Sequence, residues 1–154
     1  MSAYPNRHSR HTLPPMDDLI AFLRARWDDE EAEARSAAEV YGARWWWNPS
    51  WGLVKGDPDN DPEATSIFSI GEENVAEVWS EVGPHIARHD PSRALREVEA
   101  KRKVVEEYAE ALRVAGGYRE TRYEEGRREA LELVCRAYGA AYADRSDYRP
   151  EWKP

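Results

Sequence analysis

Apolar positions along the chain form three helical stripes separated by one aromatic-rich interval. Over Met16–Tyr41, Leu19, Ile20, Leu23, Trp27, Ala34, Ala38 and Tyr41 recur at three- and four-residue steps, which predicts one amphipathic helix. Asp17 and Asp18 sit where the positive end of the helix dipole favours acids, and Gly42 supplies the stop. A longer helix is expected from Pro91 to about Ala115, with Asp90 as N-cap and Pro91 at the first helical position. Along it Val98, Val105 and Leu112 recur every seven residues, an imperfect heptad seam that Gly116-Gly117 ends. The last stripe, from about Arg122 to Ala141, stacks Leu131, Val134, Tyr138 and Ala141 on one side.

The interval between the first two helices changes period. Arg44-Trp45-Trp46-Trp47 and Trp51-Gly52-Leu53-Val54 read as aromatic-rich strand broken by Asn48-Pro49, followed by a turn-dense acidic loop over Gly56–Pro62. Ile67–Ile70 and Val75–Trp79, joined by a tight turn at Gly71–Asn74, complete an expected three-stranded antiparallel meander. Pro84–His89 reads as one or two helical turns. The expected fold class is therefore α+β: an N-terminal helix, a small three-stranded meander that the helices must cover, and two longer C-terminal helices. Residues 1–15 lack periodicity and are expected to form a flexible leader, with residues 16–154 a single domain whose aromatic tail is irregular.

Composition narrows the class. Leu, Ile, Val and Phe number only 24 of 154 residues, so the 7 Trp, 8 Tyr and 21 Ala must supply much of the core. No run approaches the roughly 18 apolar residues of a membrane span. Cys135 is the sole cysteine, which excludes a disulfide scaffold. Together with the lack of an apolar leader, it points to the cytoplasm. The net charge of −8 is uneven: residues 16–90 carry 17 acids against 6 bases, whereas residues 91–154 are nearly balanced. An acidic half repels phosphate backbones, so direct nucleic-acid binding is not expected.

Three features invite a chemical reading. His85 and His89, four apart on a helix, share a face, and both imidazoles can reach one metal ion with Glu81 or Asp90 as oxygen donor. The plainer alternative makes them half-buried polar groups steering the chain between sheet and helix. In Trp45, Trp46, Trp47 and Trp51, strand alternation sends Trp45 and Trp47 to one face and Trp46 to the other, leaving a ring for a ligand or partner. Cys135 reads as a small buried hydrophobe, not a reactive thiol. No nucleophile triad, phosphate loop or Walker pattern is present, and no cofactor is expected.

The string His85-Ile86-Ala87-Arg88-His89-Asp90-Pro91-Ser92-Arg93 and the following Leu95–Arg102 carry a resemblance, as do the opening Met16–Arg26 and the tail's Tyr142-Ala143-Asp144, Asp147-Tyr148 and Glu151-Trp152. They are similar to a domain-of-unknown-function family found in actinobacteria and their bacteriophages. The resemblance covers nearly everything from Met16 onward and implies no activity. Such relatives tend to carry His-Pro between the tail's two aspartates, where this chain has Arg145-Ser146. A third metal ligand there is one this chain lacks. The leading expectation is a non-catalytic cytoplasmic binding or adaptor protein, encoded by or near a mobile element, with a protein partner or self-association through Val98, Val105 and Leu112. The alternatives are a metal-dependent hydrolase or small-ligand binder using His85, His89 and the tryptophans, and an acidic decoy for a nucleic-acid-binding enzyme.

Overall fold

The computed structural model describes residues 16–49, 53–56, 66–68, 75–115 and 121–154, with backbone alone at 53, 55, 66–68 and 75–81. The sequence expectations for residues 1–15, Trp51, the loop from Asp57 to Pro62 and the turns at 71–74 and 116–117 lie outside the described residues.

The described chain is predominantly helical: α1 spans Met16–Tyr41, α2 Val75–Arg88, α3 Pro91–Val114 and α4 Arg122–Ala140, with a 3-10 turn at Pro150–Trp152. This overturns the α+β assignment, in which a three-stranded meander closed by Val75–Trp79 was a main layer, while the N-terminal helix and the two C-terminal helices stand. Val75–Trp79, expected to be the closing strand, forms the opening turns of α2. The reason is visible in the spacing. Val75, Val78, Val82 and Ile86 step by three, four and four, a helical stripe that continues straight into the turn expected at Pro84–His89. Pro84 lies inside α2, where its missing N–H forgoes one bond to the carbonyl of residue 80 without ending the helix. The aromatic interval is not one broken strand either. It folds back between two four-residue strands, β1 (Trp45–Asn48) and β2 (Leu53–Gly56), with Trp45 opposite Gly56 and Trp47 opposite Val54. A three-residue strand, β3 (Ser66–Phe68), pairs antiparallel with β2 through an irregular register at Val54/Lys55.

Helix ends follow local chemistry. Gly42, at φ 80°, takes the left-handed conformation that closes α1, and its N–H donates to the Ala38 carbonyl at 2.9 Å. Asp90 caps α3 by accepting from the Arg93 N–H at 2.6 Å. Thr121 and Glu124 form a capping box on α4: the Glu124 N–H donates to Thr121 Oγ1 at 3.2 Å, and the Thr121 N–H to the Glu124 carboxylate at 2.6 Å.

The chain divides into two compact units. Unit 1 comprises Met1–Leu23 with Glu107–Pro154, and unit 2 comprises Arg24–Glu106. Unit 1 buries Leu19, Ile20, Phe22, Leu23, Tyr108, Ala111, Cys135 and Trp152. Its tail is anchored by a ring cluster, with the Phe22 and Trp152 centroids 5.0 Å apart and Tyr148 edge-on to both. Arg149 bridges to Asp18 at 2.7 Å, and Arg136 donates to the Glu151 carbonyl at 2.6 Å. Unit 2 buries Trp27, Ala34, Val54, Ala87, Val98 and Val105. Within it α2 lies against β1 and β2, where the Trp47 ring sits so close to Gly83 that a methyl group there would stand 2.1 Å from the indole. No helix among the described residues is long and apolar enough to cross a membrane.

Candidate functional site

An open pocket of about 340 Å³ lies within unit 2, where α1, β1 and the start of α3 meet. From α1 it takes Glu30, Glu33, Ala34 and Ala37, positions i, i+3, i+4 and i+7 of one helical face. From α3 it takes Pro91, Ala94, Glu97 and Lys101, again one face at steps of three and four. Three alanines stand where larger apolar residues would fill the gap between the elements. Their small volume is what leaves the hollow.

Trp45 forms the aromatic wall. Its indole N–H donates to the Gly42 carbonyl at 3.0 Å, so the ring is fixed and its polar edge is already satisfied. The neighbouring Ala43 carbonyl accepts from the Ser92 N–H at 2.8 Å, tying the α1–β1 turn to the start of α3. His89 also lines the pocket. Its Nδ1–H donates to the His85 carbonyl at 2.8 Å, which fixes the ring against the last turn of α2.

The rim is negative. Glu97 holds Arg93 at 2.6 Å, and this hydrogen bond, opposed by partial desolvation and aided by the charges of Arg93, Lys101 and His89, keeps its carboxyl below the usual carboxylate range. Glu30 stands 3.6 Å from Lys101. Glu33 is exposed and has no ion pair among the described residues. Just beyond, Arg102 bridges Glu31 and Asp28, and its hydrogen bond lowers the Glu31 pKa. These pairs tie α1 to α3 along the segment that carries the pocket.

The structure thus brings together two residues that the sequence offered separately, Trp45 from the tryptophan group and His89 from the histidine pair. The others go elsewhere. Trp47 is committed to Gly83 of α2. Trp46 is half-buried, with its Nε1 enclosed and without a hydrogen-bond partner among the described residues. His85 is exposed, its ring 4.3 Å from that of His89. Of the two oxygen donors expected beside the pair, Asp90 caps α3 and the Glu81 side chain lies outside the described residues; no group of three or more His, Cys, Asp or Glu that could hold a metal occurs among the described residues. Of the heptad seam, Val98 and Val105 are 2% and 0% exposed and Leu112 is half-buried. Glu30, Glu33, Ala37, Ala94 and Glu97 were not singled out from the sequence, and Ala34 was read only as part of the α1 stripe. Their only signal there is the shared helical face, which any solvated helix also shows.

Residues 16–154 match DUF6221, a family of unknown function. No curated protein and no solved structure matches the chain.

Proposed function

Because the chain belongs to DUF6221, a family of unknown function, we propose its role from the pocket itself: a non-catalytic cytoplasmic binding protein that engages its ligand or partner over Trp45. The observation that carries the reading is the alanine-floored hollow walled by a fixed indole and rimmed by carboxylates. The rim is suited to holding charge. Glu97 is kept ionised by Arg93 and Glu30 faces Lys101, whereas proton shuttling calls for a carboxyl poised nearer neutrality.

A fragment screen read by protein NMR tests this. Binding fragments are expected to move the resonances of Trp45, Ala34 and Ala94 together, and Trp45→Ala to abolish the response. Shifts scattered over the surface, or a response unaffected by Trp45→Ala, would end the reading.

A further inference from the structure

Resting on the binding role just proposed, we infer that the pocket takes an organic cation on an apolar stem, the chemistry of an alkylguanidinium or alkylammonium group. Four features of the hollow define what fits. The wall is an indole whose N–H is already bonded to Gly42, so what it offers a ligand is aromatic surface and not a hydrogen bond. An aromatic face attracts cations through its quadrupole. The floor is methyl groups and a proline ring, which suits methylenes and gives a polar body nothing to bond. The rim carries three carboxylates: Glu30 is paired with Lys101 and Glu97 with Arg93, whereas Glu33 has no ion pair with a described residue. Finally, the fold places such a group there already: Lys101 lines the pocket with its own apolar stem and its Nζ 3.6 Å from Glu30.

An anion would face this rim at a cost, and a neutral polar ligand would forgo both the ring face and the carboxylates. The cation can be a free small molecule or the side chain of an arginine or lysine in a partner protein; both present the same head on the same stem.

Four probes of matched shape decide the class: butylguanidinium, butylammonium, neutral butylurea and anionic valerate, each titrated against the full chain while the Trp45 indole resonance is followed. The two cations are expected to bind and the other two to leave the resonance unmoved. Glu33→Gln should weaken cation binding roughly threefold, and Lys101→Met should strengthen it by a similar factor. Both side chains reach solvent, so neither change threatens the fold. Raising salt should weaken the cations alone. A blocked Gly-Arg-Gly peptide separates the sources: binding at least as tight as butylguanidinium points to a partner's side chain, and exclusion of the peptide to a small molecule. Butylurea or valerate binding as tightly as the cations would overturn the cation assignment and leave the binding role standing. Silence from all four probes, in a protein whose Trp45 still answers other fragments, overturns this inference alone; silence toward every fragment overturns both.

Discussion

Cys135 shows how burial sets the chemistry of one side chain. It is fully enclosed in unit 1, and desolvation first, then the charge of Glu132, pushes its thiol from 9.0 up to about 12. Tyr108, enclosed in the same unit, is raised for the same leading reason. A raised acid pKa means that the unfolded chain ionises first as pH climbs. The stabilisation is therefore complete below the thiol's ordinary value and drains away between about pH 9 and 12. At pH 8 the folded protein should resist a thiol-specific reagent, with labelling keeping pace with unfolding in denaturant. Rapid labelling of the folded chain would contradict the burial. In Cys135→Ala, the loss of stability above pH 9 should shrink to the share carried by Tyr108. The expectation that Cys135 is a buried hydrophobe was readable because it sits on the apolar side of a periodic helix. The partnership of Trp45 and His89 was not: 44 positions separate them, and the packing of α2 on β1, with the bond from Ser92 to Ala43, brings their elements together.

Among the elements, α1 and α3 were legible because each has a sustained 3.6-residue stripe and a residue that stops or starts it; α4 was legible as a helix, but its expected stripe is shifted, for Val134 and Ala141 are exposed and Cys135 and Gly139 are buried. Gly42 and Asp90 perform those tasks in the structure. The capping box of α4 went unread although Thr121-Arg122-Tyr123-Glu124 has its spacing. Thr121→Ala should cost about 1 kcal/mol, measured by denaturant unfolding, because one orphan N–H of the first turn loses its acceptor. Thr121→Ser should restore most of it. Helix α2 was misread for a different reason. Val75-Ala76-Glu77-Val78-Trp79 is short, and a separate helical turn was read from Pro84, so its β-branched residues suggested a strand. Tertiary packing settled the matter, since Gly83 is the one residue there that allows the Trp47 ring its close approach.

Across the molecule, the scarcity of aliphatic residues is met by aromatic ones: Trp27, Tyr108 and Trp152 are each buried to within 2% of complete enclosure. Val98 and Val105 belong to that enclosed set, which changes what a charge at the seam does. Val105→Glu should unfold the chain, since an unpaired carboxylate at a fully buried site costs several kcal/mol. Val114→Glu, at a residue 50% exposed, should leave stability within about 0.5 kcal/mol of the parent. Circular dichroism with light scattering separates these outcomes from dissociation of a dimer: a folded Val105→Glu protein of reduced mass would restore the seam as an interface.

The burial of Trp152 beside Phe22 also has a bearing on the order in which the protein takes shape during synthesis. Unit 2 is one uninterrupted stretch, Arg24–Glu106, and every residue it needs has left the ribosome while the last third of the chain is still being made. Unit 1 draws on both sides of that stretch, so Leu19, Ile20 and Phe22 emerge early and wait for partners that arrive last. Until Trp152 appears, the start of α1 is an uncovered apolar stripe on a nascent chain, the surface on which a chaperone or a misfolding contact would act.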